Sequence, residues 1–235
     1  MKELDRIQEV YQARNKNARK SFFGFEDLAH LYRIFGRYKE TLLLLNKVGY
    51  ENLSGLRILD IGCGDGRWLR QAIDWGGDPN LLAGVELLAD QVEIAKRNNP
   101  LVDIREGSAH ELPWDDDTFD IICQHTVFSS ILDDELRNQV IAEIMRVLRP
   151  DGLILWYDFW LNPTNPQTKG IRKAEIKELF FGSSFIFRKI TLAPPLARKI
   201  VPVSWVFSSI LEKLKIFNTH YLVLIRPEIT KDKKL

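Results

Sequence analysis

Three glycines at alternate positions, Gly62, Gly64 and Gly66, stand in Ile58-Leu-Asp-Ile-Gly-Cys-Gly-Asp-Gly-Arg-Trp-Leu-Arg70, directly after an apolar run and directly before a helical pattern. Glycines turn a backbone tightly and let a ligand lie against it with no side chain between. The first strand of a doubly wound sheet delivers such a loop to the crevice where these folds bind ligands. The register then selects among ligands. A dinucleotide loop needs a third small residue where Arg67 stands, and a phosphate loop needs a Gly-Lys-Ser/Thr run that does not follow. A nucleotide-dependent oxidoreductase is therefore the weaker reading.

Glu86 ends the next strand-like run, about twenty residues after the loop, where a carboxylate can accept from both hydroxyls of a ribose. Two further markers follow in order: Glu106-Gly-Ser-Ala-His-Glu-Leu-Pro-Trp-Asp-Asp-Asp-Thr-Phe-Asp-Ile-Ile122 and Glu143-Ile-Met-Arg-Val-Leu-Arg-Pro-Asp-Gly152. On these residues the sequence resembles class I S-adenosylmethionine-dependent methyltransferases, from about residue 53 onward. Asp60 to Gly66 resembles their first motif and Glu86 their second. Ala109, Leu112, Pro113, Trp114, Phe119 and Asp120 resemble the third, with Ser108 in place of its usual acid.

The resemblance implies S-adenosylmethionine as cofactor, S-adenosylhomocysteine as product, and a site of Asp60, Gly62, Cys63, Gly64, Glu86, Leu87, Ser108, Ala109, Gln124 and His125. It sets the glycine backbone along the amino-acid part of the cofactor, Asp60 near its ammonium group, and Ser108 and Ala109 at the adenine. The plainer alternatives are that Asp60 caps the turn and that Glu86 is a solvated strand-end acid.

Methyl transfer needs an oriented acceptor, exclusion of water and sometimes removal of a proton. His125, at the end of the fourth strand run, is the candidate general base, since an ordinary imidazole titrates near pH 6.5. Its alternative role is to line the cofactor or bond to backbone. Tyr157 and Asp158 are secondary candidates at the same rim, and His110 reads as a surface residue.

These residues need a scaffold. Strand-like runs at 57–61, 81–86, 102–105, 119–124 and 153–158 alternate with helical patterns at 67–75, 88–97, 133–148 and 171–181, and Pro150, Asp151 and Gly152 read as a turn. Two more runs, 185–191 and 221–225, close the series. The expected fold is α/β, a doubly wound, mostly parallel, seven-stranded sheet of Rossmann-like methyltransferase type with an N-terminal helical extension. The extension, 1–52, includes an amphipathic helix at 25–48 with an apolar face to bury, and as a whole it is expected to cover the cofactor and help to shape the acceptor pocket. The methyltransferase domain covers 53–235.

The chain has 235 residues, 45% hydrophobic and 28% charged, so it can bury a core without disulfides. Its 33 basic and 32 acidic residues give a net charge of +1, and no nucleic-acid partner is expected. The acceptor classes fit that balance: no Asp/Asn-Pro-Pro-aromatic run follows the fourth strand, and Cys123 follows Ile122 rather than a proline. The two cysteines, Cys63 and Cys123, have no metal-ligand spacing, so no metal is expected. The N-terminus has no apolar leader, and a cytoplasmic protein is expected.

The insertion at 193–218 is unusually apolar, with Val206, Ile210, Leu214 and Phe217 on one helical face and Arg198, Lys199, Lys213 and Lys215 beside it. It reads as a helix packed on the sheet edge, as a lid or membrane-surface contact (peripheral to the inner membrane face), or as a dimer contact. The C-terminal part is similar to bacterial methyltransferases of the broad methyltransferase-11 type associated with surface-polysaccharide biosynthesis, which implies a small-molecule or glycan acceptor, lipid-linked in some cases. The rival outside enzymes is a non-catalytic protein that keeps the cofactor pocket alone.

Overall fold

The computed structural model describes residues 2–18, 27–162 and 165–228, with backbone alone for 14–18. Strand β1 (Ile58–Ile61) is buried along its length because its residues feed two cores. Ile58 packs with Leu69, Ile121 and Leu153 on one face of the sheet. Leu59 and Ile61 pack with Ile122, Ile154 and Trp156 on the other. A strand covered on both faces needs apolar residues at successive positions, and β1 has them except at the buried Asp60, whose Oδ1 meets His125 Nδ1.

The other strands are β2 (Leu82–Glu86), β3 (Asp103–Glu106), β4 (Phe119–His125), β5 (Leu148–Phe159), β6 (Ser184–Leu192) and β7 (Asn218–Arg226). They form one seven-stranded sheet in the order β3-β2-β1-β4-β5-β7-β6. Pairs from β3 to β5 are parallel, and β7 is antiparallel to both β5 and β6. The order reverses between β1 and β4, so the carboxyl ends of these two strands border the crevice. The sheet is therefore the mostly parallel, doubly wound one expected. Pro150, Asp151 and Gly152 differ from expectation: they lie inside β5, where the register jumps from Leu148 opposite Phe119 to Leu153 opposite Ile121. The extra residues make a bulge-like irregularity.

Helices α3 (Arg67–Asp74), α4 (Ala89–Asn98), α5 (Asp134–Val147) and α6 (Lys173–Leu179) cover the two faces. Before them come α1 (Lys2–Ala18) and α2 (Leu28–Lys47), the latter capped by the Asp27 side chain on His30 N–H at 2.9 Å. The insertion forms α7 (Pro194–Ile200) and α8 (Trp205–Lys213). A small core of Ala29, Tyr32, Leu192, Ala197 and Val201 joins α2 to α7. Glu212 fastens α8: its carboxylate accepts from Tyr32 Oη at 2.7 Å and Thr191 N–H at 2.9 Å. Helix α8 thus packs on the edge strand β6, as one reading expected, but the face formed by Val206, Ile210, Leu214 and Phe217 is turned away and open to solvent. Among the described residues no helix is long and apolar enough to cross a membrane.

Candidate active site

Both Gly62 and Gly64 adopt positive φ, at 65° and 55°. Gly62 N–H and Cys63 N–H both donate to Val85 O, so the loop is tied to the end of β2. Glu86 then turns back onto the loop. Its carboxylate accepts from Gly64 N–H at 2.9 Å and from Leu88 N–H at 3.0 Å. Burial pushes the Glu86 carboxyl upward from its ordinary value, against these backbone donors.

A cavity of about 290 Å³ opens here, bordered by Gly62, Gly64, Glu86, Leu87, Ser108 and Ala109. Its other walls are largely apolar and include Leu4 and Ile7 of α1, Ile131, and Leu136 and Val140 of α5. Among the described residues no Lys or Arg lines it. A pyrophosphate would find no cation there, whereas a nucleoside without phosphate fits an apolar slot ending on one carboxylate. Nothing lies within 4 Å of the position a Cβ would take on Gly64, so the backbone is bare toward a ligand.

A second cavity, about 1310 Å³, lies on the other side of the loop. The two share Gly62, Tyr11, Gln91, His125, Thr126 and Ser130. His125 ends β4 at this junction, and its Nδ1 lies 3.3 Å from Asp60 Oδ1. If Nδ1 carries the proton donated to Asp60, Nε2 is left as an acceptor. Burial, together with the nearby Arg37 charge, holds the imidazole below its ordinary pKa despite Asp60. His125 is the neutral, proton-accepting form at pH 7. The next residue, Thr126, has φ 62°, a conformation rare outside glycine, and it turns the chain sharply away after His125.

Helix α1 roofs the junction. Arg6 Nη2 donates to Ser130 O at 2.6 Å, and the Tyr11 and Ser130 hydroxyls are 2.7 Å apart. Glu3 accepts from Leu132 N–H at 2.7 Å, and the Arg6 guanidinium holds the Glu3 carboxyl below its ordinary value. Beneath, the buried Asp158 accepts from Ser129 N–H at 3.0 Å and is pushed up to about 6 by burial. It supports the turn after β4 and lines neither cavity.

The site residues expected from sequence divide accordingly. Gly62, Gly64, Glu86, Leu87, Ser108, Ala109 and His125 border the smaller cavity. Asp60 and Cys63 border the larger one. Gln124 reaches neither: it is fully buried, its Oε1 accepts from Val127 N–H at 3.1 Å, and its Nε2 has no hydrogen-bond partner among the described residues. The reason is strand alternation, which sends His125 and Gln124 to opposite faces of β4. His110 is half-buried in the loop after β3 and lines neither cavity, and its Nδ1 is 2.6 Å from Ser108 Oγ. Sequence reasoning did not single out Tyr11, Gln91 or Ser130. Only topology brings α1 and the turn after β4 to the loop.

Residues 58–152 match the family described as methyltransferase domain. Over that stretch, from β1 into β5, the chain is similar to methyltransferase domains. It is 32% identical over 127 residues to phthiotriol/phenolphthiotriol dimycocerosates methyltransferase 1 of Mycobacterium ulcerans, covering 49% of this chain and 41% of that one. It is 30% identical over 154 residues to demethylmenaquinone methyltransferase of Shouchella clausii, covering 63% and 57%. The chain thus spans about half the length of these curated relatives. The fold likewise matches the crystal structure of an S-adenosylmethionine-dependent methyltransferase from Mesorhizobium loti, with a TM-score of 0.57 at 16% identity over 78% of this chain and 95% of that one. The cofactor that this similarity implies is S-adenosylmethionine, and the bare loop, the Glu86 carboxylate and the largely apolar slot fit it.

Proposed function

We propose that the chain is an S-adenosylmethionine-dependent methyltransferase acting on an oxygen of a small molecule or glycan, lipid-linked glycans included. The observation that carries this reading is the meeting of two cavities at His125, one suited to a nucleoside and one large enough for an acceptor. The bound cofactor supplies an electrophilic sulfonium methyl. Glu86 and the loop hold the cofactor, α1 keeps water from the junction, and His125 takes the proton of the acceptor hydroxyl while Asp60 stabilises the imidazolium.

The test is transfer of a labelled methyl from S-adenosylmethionine to a fractionated cell extract. Label in a small-molecule, polysaccharide or lipid fraction supports the reading. Cofactor binding without label in any fraction favours the non-catalytic alternative. With an acceptor in hand, His125→Asn should lower kcat by about 10²–10⁴-fold and leave cofactor affinity near that of the parent. The lowered pKa of His125 sets the acid limb of the wild-type rate below pH 6.5. A kcat reduced less than threefold would remove His125 from proton transfer.

The same chain docks on an anionic membrane surface through 193–218. Val203, Val206, Phe207, Ile210, Leu214, Ile216 and Phe217 are exposed there, next to Arg198, Lys199, Lys213 and Lys215. The segment has a single acid, Glu212, and its carboxylate is turned inward onto Tyr32 and Thr191. An apolar face fringed only by cations matches an anionic bilayer better than water. The protein should sediment with vesicles containing phosphatidylglycerol, less with neutral ones, and Phe207→Ser with Ile210→Ser should abolish this. A dimer in vesicle-free solution that these substitutions dissociate would assign the face to a second copy instead.

A further inference from the structure

Strand β7 brings a second histidine to the larger cavity. Because β7 runs antiparallel to β5, its first residues lie beside the carboxyl ends of β4 and β5. Tyr157 stands opposite His125 in register, and His220 stands opposite Phe159. Strand alternation puts all four on one face of the sheet, and all four line the cavity. The His220 ring is held on two sides. It stacks on Tyr157 at 4.8 Å and 9°, and its centroid is 3.9 Å from that of Phe159. The Tyr157 ring is in turn 6.2 Å from His125. The two imidazoles therefore stand one aromatic ring apart along the same wall.

His220 is 1% exposed. Burial, with the Arg33 and Arg37 charges, holds it well below its ordinary pKa, so its ring is neutral at pH 7. A neutral imidazole keeps one donor and one acceptor, and buried polar atoms are rarely left alone. Its Nδ1 is 3.1 Å from Thr219 Oγ1. Its Nε2 has no hydrogen-bond partner among the described residues, and the cavity is what the ring borders. The neighbouring Tyr157 hydroxyl does not compete for a ligand there, since it lies 2.9 Å from Thr191 Oγ1.

The charges in the cavity sit on the other side. Asp60 suits the ammonium, and Arg33 with Arg37 the carboxylate, of the cofactor's amino-acid end. The wall made by the ends of β5 and β7 and by Asn165, Gln167 and Thr168 is uncharged, with Arg198 of α7 at the rim. Tyr157 and His220 cover one another's ring faces, so a flat aromatic ligand finds no open face in that pair. A hydroxyl fits better, because it can pair with Nε2 in either tautomer.

We infer that His220 binds the methyl acceptor, its Nε2 holding one hydroxyl of a sugar ring while another hydroxyl of the same ring is presented to His125. This rests on the methyltransferase reading and narrows its acceptor to sugars.

The experiment gives the full chain labelled S-adenosylmethionine and a fractionated cell extract. The labelled fraction is hydrolysed in acid, and the methylated product should be a monosaccharide. Rates are then measured against the amount of that fraction. His220→Phe keeps the ring and loses both nitrogens. It should raise the apparent KM about tenfold, the cost of one hydrogen bond, with kcat within about threefold of the parent. His220→Gln should recover part of the loss, and neither should alter S-adenosylhomocysteine affinity measured by calorimetry. His220→Leu gives the same reading if His220→Phe fails to fold. A labelled product that is not a sugar, or an apparent KM unchanged in the apolar variant whatever happens to kcat, overturns the inference and leaves the methyltransferase reading intact. Absence of label from every fraction overturns both.

Discussion

Replacing Glu86 with alanine should weaken S-adenosylmethionine binding by about 10²–10⁴-fold, because hydrogen bonds to a charged group contribute about 1.5–3 kcal/mol each and two ribose hydroxyls would lose their acceptor. The carboxylate is placed for this by β2, which ends on it, and by Gly64 N–H and Leu88 N–H, which fix both of its oxygens. Each oxygen keeps a lone pair beyond the backbone bond it accepts. Folding should suffer less than binding. The substitution leaves two backbone donors without their acceptor, but it also removes a buried charge whose carboxyl is pushed upward by desolvation. Glu86→Gln should fall between, since an amide can accept at one oxygen only. Acidification should imitate the substitution: affinity should fall as Glu86 takes up a proton, at a pH above the ordinary carboxylate range. Calorimetry of the three proteins at pH 7.5 and 5 checks both statements. An alanine variant within threefold of wild type would remove Glu86 from the cofactor site.

The parts of this site that could be read from sequence are those in which one short segment does the whole task. The glycine loop is local, and the run 58–61 that precedes it is apolar at the positions both cores require. Glu86 could be read because a strand end has a fixed relation to a neighbouring strand end in a parallel sheet, and Gly84 does pair with Asp60. Gln124 shows where such reading stops. Its neighbour His125 reaches the junction, and a period of two residues is enough to exclude Gln124 from the same face. Composition could not show this, but alternation along β4 could. The Pro150–Gly152 segment carries turn residues, yet β5 continues through it because the ladder to β4 absorbs the extra residues as a bulge.

Contacts distant in sequence were not legible at all. Arg6 on Ser130 and Tyr11 on Ser130 join positions more than a hundred residues apart. The amphipathic pattern of α2 indicates a buried face but not that Arg33 and Arg37, on its flank, look into a cavity floored by β4 and β5. What covers the apolar face of α8 stays open in the sequence for a related reason. Regular apolar spacing predicts a face that is covered, and the pattern is the same whether the cover is this chain or something outside it.

Gly62→Ala should destabilise the protein by about 2–5 kcal/mol, joining about 1–2 kcal/mol for a left-handed alanine with about 1–3 kcal/mol for overpacking. The backbone there has φ 65°, and an added Cβ would stand 2.6 Å from Val127 Cγ2. Relaxation is blocked on both sides. Gly62 N–H is bonded to Val85 O at 2.8 Å, and Val127 N–H is bonded to Gln124 Oε1. The two contributions can be separated. Val127→Ala alone should cost little, since the side chain is only half-buried. In combination with Gly62→Ala it should restore the packing part and leave the backbone part, so the double variant should be more stable than Gly62→Ala by about 1–3 kcal/mol. Urea unfolding of the four proteins measures this. A Gly62→Ala variant within about 0.5 kcal/mol of wild type would mean that the loop yields where its hydrogen bonds say it is held. The same variants carry a functional reading, because Gly62 and Val127 both border the cofactor cavity. Restored stability with cofactor affinity still lost would locate the role of Gly62 in its bare backbone, where a ligand must approach.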